Sequence, residues 1–388
     1  MFIQALHLKD FLSFQDVSIE LGPVNVLIGA NGSGKSNVID AIDFLQHCPD
    51  DLSSFVLNHG GADEWIRRAN RAEVASIKAY CRQDKDILSY SLSFRSDIRF
   101  PLITHESLDR EFAKGPFGEF QRSVGHFEWK AFNKAHEKYN KLPKIESSQL
   151  RPNATFLSQY RHPADPTLIS GLSAKLSRVR IYRDFSTGKR SDLRRGVPVS
   201  GADDRQLNES GNNLAYVLHE LDYQDRLGLV NEYLEEFAPH YQGVKPRLVN
   251  GVWTLQLREA GLDSPTTTER ISEGTLNFLC LLAILLDPNP PPLICIDEPE
   301  VGLHPDAIAL VGKAILDAES RTQLIIATHS EALVNRFSDR PEAVIVCEKE
   351  ANNATTLKRQ SSQELSTWLE DYTLGDLWHR GVIGGNRR

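Results

Sequence analysis

The chain has 388 residues, of which 40% are hydrophobic and 25% charged, and 52 acids against 44 bases give a net charge of −8. These proportions exclude long disorder, collagen and a disulfide scaffold. No stretch approaches the 18 uninterrupted apolar residues of a helical membrane span, so no membrane association is expected. At about 150 residues per domain, the length allows two or three units, or one large unit with an insertion. Cys48, Cys81, Cys280, Cys295 and Cys347 are scattered without a paired spacing. That pattern fits a reducing cytoplasm better than disulfides or a zinc site. The opening Met1-Phe2-Ile3-Gln4-Ala5 has no basic and then apolar run, so a secretory leader is not expected and the localisation is expected to be cytoplasmic. An acidic balance also argues against nucleic acid being held over the whole surface.

Residues 1–28 read as strands, ending in the short apolar run Val24–Ile28. A glycine-rich turn follows, and then a helix from about Lys35 to Gln46 with Val38, Ile39, Ile42 and Leu45 on one face. Residues 73–105 read as an antiparallel meander. From 109 to 145 aromatic and charged residues interleave, and a helical insertion is expected. Segment 160–206 is loop-rich and basic, and 208–238 returns to helical spacing. Residues 251–258 read as a strand and 272–286 as a very apolar helix. The remainder alternates strand (Leu293–Ile296), helix (306–319), strand (Leu324–Ala327), helix (330–337) and strand (Ala343–Val346). Such alternation is the mark of an α/β parallel sheet.

Four motifs carry chemistry. Gly29-Ala30-Asn31-Gly32-Ser33-Gly34-Lys35-Ser36, followed by Asn37, matches G-x-x-x-x-G-K-[ST] at every fixed position, between an apolar strand and a helix. The glycines let backbone N–H groups turn inward around phosphates, and the helix N-terminus adds partial positive charge. Lys35 is expected to reach the β- and γ-phosphates of ATP, and Ser36 to ligate Mg²⁺. Second, Leu293–Ile296 runs into Asp297-Glu298. A strand ending in Asp places that carboxylate at the carboxyl edge of the sheet. Alone, this pattern is as often an acidic helix cap. Paired with the loop at 29–36, it makes Asp297 the expected Mg²⁺ partner and Glu298 the candidate general base. Third, Ser272-Glu273-Gly274-Thr275 opens the apolar helix, where Ser272 caps and Gly274 leaves room for a second anion contact. Fourth, His329 follows the strand Leu324–Ala327, one helix after the Asp-Glu strand. There it is expected to face the γ-phosphate or the attacking water.

The order of these elements resembles the ABC-type ATPase heads. Ile296-Asp297-Glu298-Pro299-Glu300-Val301-Gly302-Leu303-His304-Pro305, Ala327-Thr328-His329-Ser330 and the opening Leu8-Lys9-Asp10-Phe11-Leu12-Ser13-Phe14 are similar to the RecF/SMC-like branch. Gly211-Asn212-Asn213-Leu214-Ala215, Leu374-Gly375-Asp376-Leu377-Trp378 and Gly384-Gly385-Asn386 resemble stand-alone AAA-family ATPases related to the overcoming-lysogenization-defect proteins. The resemblance spans roughly 1–45 and 205–388. It implies an α/β P-loop head with a mixed, largely parallel core sheet, helices on both faces, an antiparallel β subdomain and a helical insertion. The expected division is an amino-terminal ATPase lobe (1–105), a helical and basic insertion (106–205) and a carboxy-terminal lobe (206–388). The resemblance further implies ATP and Mg²⁺ as cofactors and a homodimer closing around ATP. In that dimer Ser272 and Gly274 of one protomer reach the nucleotide of the other, Gly302–Pro305 form the D-loop, and Gln159 links the lobes.

The departures shape the reading. Ser272 lies 236 residues beyond Ser36, and the signature is Ser-Glu-Gly-Thr, unlike transporter ATPases. No heptad arm is present, and after Val344–Glu348 no Asp-x-Asp follows, so no Toprim nuclease is expected. Residues 175–195 hold eight bases against two acids, a candidate DNA strip. Solvated loops and internal ion pairs explain that run equally well. The expected function is a Mg²⁺-dependent ATPase head acting on or signalling about DNA, with a separate nuclease or toxin effector. The alternatives are a transporter-type ATPase subunit, and an ATP switch that hydrolyses slowly while holding a partner.

Overall fold

The computed structural model describes residues 2–69, 72–111, 117–123, 126–129, 131–133, 138–140, 149–160, 168–198 and 205–384. The chain opens with β1 (Ile3–Phe11), β2 (Phe14–Glu20) and β3 (Val24–Ile28). Three helices follow, α1 (Lys35–His47), α2 (Leu52–Asn58) and α3 (Ala62–Trp65). Strands β4 (Ala75–Gln83), β5 (Asp86–Asp97), β6 (Phe100–Glu111), β7 (Phe117–Ser123) and β8 (His126–Trp129) come next. The middle holds β9 (Ala131–Asn133), β10 (Lys138–Asn140), α4 (Phe156–Gln159), α5 (Leu168–Leu176), β11 (Arg180–Tyr182), α6 (Asp192–Arg195) and β12 (Val197–Pro198). Then follow α7 (Leu214–Tyr223), α8 (Leu227–Phe237), β13 (Tyr241–Val249), β14 (Val252–Glu259), β15 (Thr266–Thr267) and α9 (Glu273–Leu285). The last stretch is β16 (Leu293–Asp297), α10 (Pro305–Ala318), β17 (Gln323–Ala327), α11 (Glu331–Asn335), β18 (Val344–Lys349), β19 (Thr355–Arg359), α12 (Ser362–Leu369) and α13 (Leu374–His379).

The central sheet has the order β11-β16-β17-β3-β18-β19, parallel except for the last pair. Its inner strands are apolar along their length because both faces are covered. Side chains alternate between two cores. Val24, Val26, Ile294, Ile296, Leu324 and Ile326 pack with the helices of the carboxy-terminal half. Leu27, Leu293, Cys295, Ile325 and Ala327 pack with α1 and the amino-terminal strands. The amino-terminal strands form a seven-stranded antiparallel sheet, β2-β1-β4-β5-β6-β7-β8. Helix α1 therefore contributes to a core shared by both sheets. Gln323, almost fully buried, joins them: its Oε1 accepts from the N–H groups of Phe2 and Ile3 at 3.0 and 2.8 Å, and its Nε2 donates to Ile3 O and Gly22 O. A third sheet, β12-β14-β13 with β15 on β14, lies ahead of α9.

The parallel sheet, the meander and the helices expected around 35–46, 272–286 and 306–319 are present. The helical insertion expected over 109–145 is not: every described stretch there is strand. In β7 Phe120 is buried, Gln121 exposed and Arg122 buried, which is period two rather than 3.6. The open edge of β6 supplies the ladder partner. The boundary expected at 105 thus falls inside β6. Strand β13 is a further addition to the expected elements, although Asn250 and Gly251, at φ 51° and 78°, form the Asn-Gly turn of a tight hairpin.

Phe44 of α1 stacks on Phe94 at 5.2 Å and meets Phe11 and Trp65 at 5.3 Å each. Phe44→Ala is expected to lower unfolding free energy by about 3–5 kcal/mol. Urea denaturation reads this as a lower midpoint at unchanged slope.

Candidate functional site

Strand β3 is wholly buried, and Gly29 follows it directly. A side chain there is excluded: a Cβ on Gly29 would lie 2.3 Å from Cys347 O and 2.7 Å from Ser33 Oγ. Gly34, at φ 104°, is closed off by Thr355 Oγ1 at 2.4 Å from such a Cβ. The loop is braced from outside by a relay of side chains. Asn37 Nδ2 donates to Ser13 Oγ at 2.6 Å, Ser13 Oγ pairs with Thr355 Oγ1 at 2.7 Å, and Thr355 Oγ1 donates to Ser33 O at 2.9 Å. Lys35 Nζ donates to Gly29 O and Ala30 O at 2.9 and 3.1 Å. Burial lowers the Lys35 pKa, and Asp297, Glu298 and Glu300 are among the groups that hold it up.

The carboxylates arrive from β16, one strand over from β17, which itself pairs with β3. Asp297 shares a hydrogen bond with the Ser36 side chain; burial raises its pKa and that bond opposes the rise. Glu298 follows with φ 52°, a left-handed conformation costly for a side chain with a Cβ. Its N–H is held by Ala327 O at 2.8 Å. Its carboxylate is half exposed and lies 3.7 Å from His329 Nε2. Four of the expected residues, Lys35, Ser36, Asp297 and Glu298, and His329 beside them, therefore meet at the carboxyl edge of the parallel sheet.

Ser272 caps α9 by accepting from Thr275 N at 3.0 Å. Gly274 is required because the D-loop backbone presses on the helix start: its Cβ would lie 2.7 Å from Gly302 O. Asn277 Nδ2 donates to Val301 O of the same loop at 3.3 Å. Among the described residues, no hydrogen bond or ion pair joins Ser272 or Gly274 to the loop at 29–36 of their own chain.

Gln159 does not join the site. Its Oε1 accepts from Arg151 N at 2.7 Å and its Nε2 donates to Ala154 O and Thr155 O. Thr155 bonds to Cys48 O, at the carboxyl end of α1. At 1.5 Å per residue that end lies about 20 Å from Lys35.

The basic stretch 175–195 does not form one strip. Arg178 and Arg180 sit at the start of β11, lining a cleft with Arg205, Glu220 and Asp287 at the amino edge of the sheet. Arg183 sits at the other end of β11 and pairs with Asp40 and Asp43 of α1 at 2.6 and 3.0 Å. Lys175 donates to Arg82 O, and Arg195 pairs with Asp192. Arg194 is buried, and its guanidinium donates to the carbonyls of Thr187, Gly188, Thr268, Glu269 and Ile271. Arg161, Gly385 and Asn386 lie outside the described residues.

Three contributors escape a reading by motif. Arg183 stabilises the charge of Asp297 and Asp40 from the end of β11; burial still raises Asp40 to about 6. Arg194 fixes the turn that leads into Ser272. Glu300 stands in plain view within Ile-Asp-Glu-Pro-Glu, yet only the fold shows what it holds. Its Oε1 accepts from His329 N at 2.5 Å and Thr328 donates to the same carboxylate, so the loop after β16 fixes the strand end bearing His329.

A family model described as "AAA domain, putative AbiEii toxin, Type IV TA system" matches residues 24–335. The chain belongs to that family. Outside that family, the chain is similar in sequence to RecF and Rad50 proteins and in fold to Smc heads. It is similar to the DNA replication and repair protein RecF of Nocardioides sp., 39% identical over 72 residues, which are 18% of this chain and 17% of that protein. It is also similar to the DNA double-strand break repair Rad50 ATPase of Sulfolobus acidocaldarius, 47% identical over 81 residues, or 20% of this chain and 8% of that one. The chain thus spans under a fifth of the length of these curated relatives. In fold it matches a crystal structure of an Smc head bound to the C-winged helix domain of ScpA, at TM-score 0.59 and 14% identity, covering 94% of this chain and 99% of that one. A Smc head with an extended coiled coil from Pyrococcus furiosus matches at TM-score 0.56, 15% identity and 95% and 99% coverage.

Two outcomes follow from this geometry. Glu300→Ala strands the His329 N–H and the Thr328 hydroxyl, at a cost of about 1–3 kcal/mol in urea unfolding. Gln159→Ala leaves nucleotide affinity by calorimetry at the wild-type value, whereas a lobe-linking role would require a loss.

Proposed function

We propose that the chain is a Mg²⁺-dependent ATPase head that closes on ATP as a dimer and couples the cycle to DNA. The observation that carries this reading is the meeting of Lys35, Ser36, Asp297, Glu298 and His329 at one sheet edge, from three separate strands. The residues fit the nucleotide. Gly29 and Gly34 are cleared of side chains by close backbone and Thr355 contacts, and a buried ammonium stands at the loop. Ser36 and Asp297 would hold the magnesium ion, which would neutralise charge on the phosphates as it spreads in the transition state.

Catalysis is then positioning and charge stabilisation. Lys35 leaves its two carbonyl acceptors for phosphate oxygens. Glu298, exposed and held in a strained conformation beside His329, accepts the proton of the attacking water. His329 orients that water or the phosphate. Ser272 and Gly274 serve the nucleotide of the second protomer, which accounts for their lack of contact with their own loop. The loop after β16, which runs into the D-loop, touches α9 through Gly302 and the His329 strand end through Glu300, so docking of a second head would bear on both. The DNA linkage is supported by relatives named for DNA replication and repair. A separate effector is in keeping with the toxin–antitoxin wording of the family description. No helix among the described residues is long and apolar enough to cross a membrane.

Lys35→Ala is expected to abolish nucleotide binding in calorimetry. Glu298→Gln is expected to keep binding, lower turnover by about 10²-fold or more, and accumulate an ATP-dependent dimer in size-exclusion chromatography. Wild-type turnover by Glu298→Gln would remove the general-base assignment.

A further inference from the structure

The hairpin β13–β14 projects from the sheet ahead of α9. One face is spent on the core: Val244, Leu255 and Leu257 pack with α7 and α8. The register Gly243↔Arg258, Lys245↔Gln256, Arg247↔Thr254 and Val249↔Val252 puts Lys245, Arg247 and Arg258 together on the other face. All three are exposed. No acid shares that face, and none of the three forms an ion pair with a described residue. Glu259, the only acid in the two strands, points to the opposite side and binds Thr266 Oγ1 at 2.5 Å. In a chain of net charge −8, an all-basic sheet face is a local exception.

We propose that this ribbon face is a contact surface for the phosphate backbone of double-stranded DNA. The argument is charge complementarity and spacing. Lys245 and Arg247, two residues apart on one strand, are separated by about 7 Å, on the scale of the spacing between phosphates of a DNA strand, whose charges rise by about 3.4 Å each along the helix axis. Arg258 lies diagonally across the ribbon from Lys245, about 7–8 Å away. Gln256 and Thr254 between them add polar groups that suit phosphate and sugar oxygens. The ribbon is also wired to the nucleotide machinery. Thr268 Oγ1 accepts from Leu255 N and donates to Leu255 O, and the Thr268 carbonyl is one of those gathered by Arg194 just before Ser272. DNA on the ribbon therefore rests on the same strand pair that leads into the signature helix. This inference rests on the DNA-linked ATPase reading and moves the contact away from residues 175–195.

The test uses the full chain, a fluorescein-labelled duplex and anisotropy across a salt series, with ATP present. Wild type should bind with a steep salt slope. The triple variant Lys245→Gln, Arg247→Gln, Arg258→Gln should bind more weakly, with a slope shallower by about 3 per head, and with ATP affinity unchanged. Lys189→Gln, Arg190→Gln, drawn from the exposed part of 175–195, should change the slope less. Arg247→Lys alone should keep the slope, which separates lost charge from lost fold. Wild-type DNA binding that survives the triple variant overturns the ribbon assignment and leaves the DNA reading standing. A wild type that binds no duplex at any salt overturns both.

Discussion

A buried ammonium facing a row of carboxylates is the constraint on which the rest of this molecule depends. Burial lowers the Lys35 pKa by disfavouring its charged form. Asp297, Glu298 and Glu300, delivered by the next-but-one strand, oppose that shift. The same burial raises Asp297 and Glu300, and the neighbouring Glu298 charge raises both further, while the Ser36 side chain, Arg183 and Lys35 hold Asp297 down. Arg183 adds a second cation behind them, on Asp40 and Asp43. Charges of both signs are thus already held in place at the sheet edge, the arrangement on which the proposed nucleotide and magnesium binding rests. Preorganisation of this kind spares reorganisation during reaction.

Backbone approach sets the second condition. The phosphate loop is squeezed between Cys347 O on one side and Thr355 on the other, and only glycine fits at 29 and 34. The relay from Asn37 through Ser13 to Thr355 and Ser33 ties the loop to the β1–β2 turn and to β19. Elements from both ends of the chain thus hold one turn. Gln323 repeats the theme at the other end of the sheet, where a single buried amide makes four bonds that join the antiparallel sheet to the parallel one.

The carboxy-terminal half carries the parts that a second head would meet. Gly274 and Gly302 are packed backbone to backbone, and Glu300 reaches from the same loop to His329. Arg194 gathers the carbonyls that precede Ser272, a use of five polar groups that an isolated turn would leave to water. The ribbon β13–β14 joins this assembly through Thr268. The sheet edge bearing Asp297 and His329, the loop at Glu300–Gly302 and the basic ribbon are therefore neighbours in bonding.

How much of this can be read from the residues follows from range. The loop at 29–36, the strand ending in Asp297-Glu298, the cap at Ser272 and the strand before His329 are legible because their chemistry is local: a turn type, an apolar run, a helix start. Glycine at 29 and 34 is legible as a motif, but its cause, Cys347 and Thr355, is more than 300 residues away. The stretch 109–145 reads wrongly as helical because mixed aromatic and charged composition hides a period of two when β6 offers an open edge. Gln159 enters by analogy alone, and its amide is spent on its own turn. The basic run at 175–195 looks continuous because its residues are consecutive along the chain, yet a three-residue strand sends its two ends to opposite edges of the sheet. Lys245, Arg247 and Arg258 look scattered, and an antiparallel ladder makes them neighbours. The residues alone mark the local motifs, a glycine turn, an apolar strand ending in two carboxylates, a capped helix start; tertiary structure alone decided which of them meet, because strand order and register are set by core packing between distant segments.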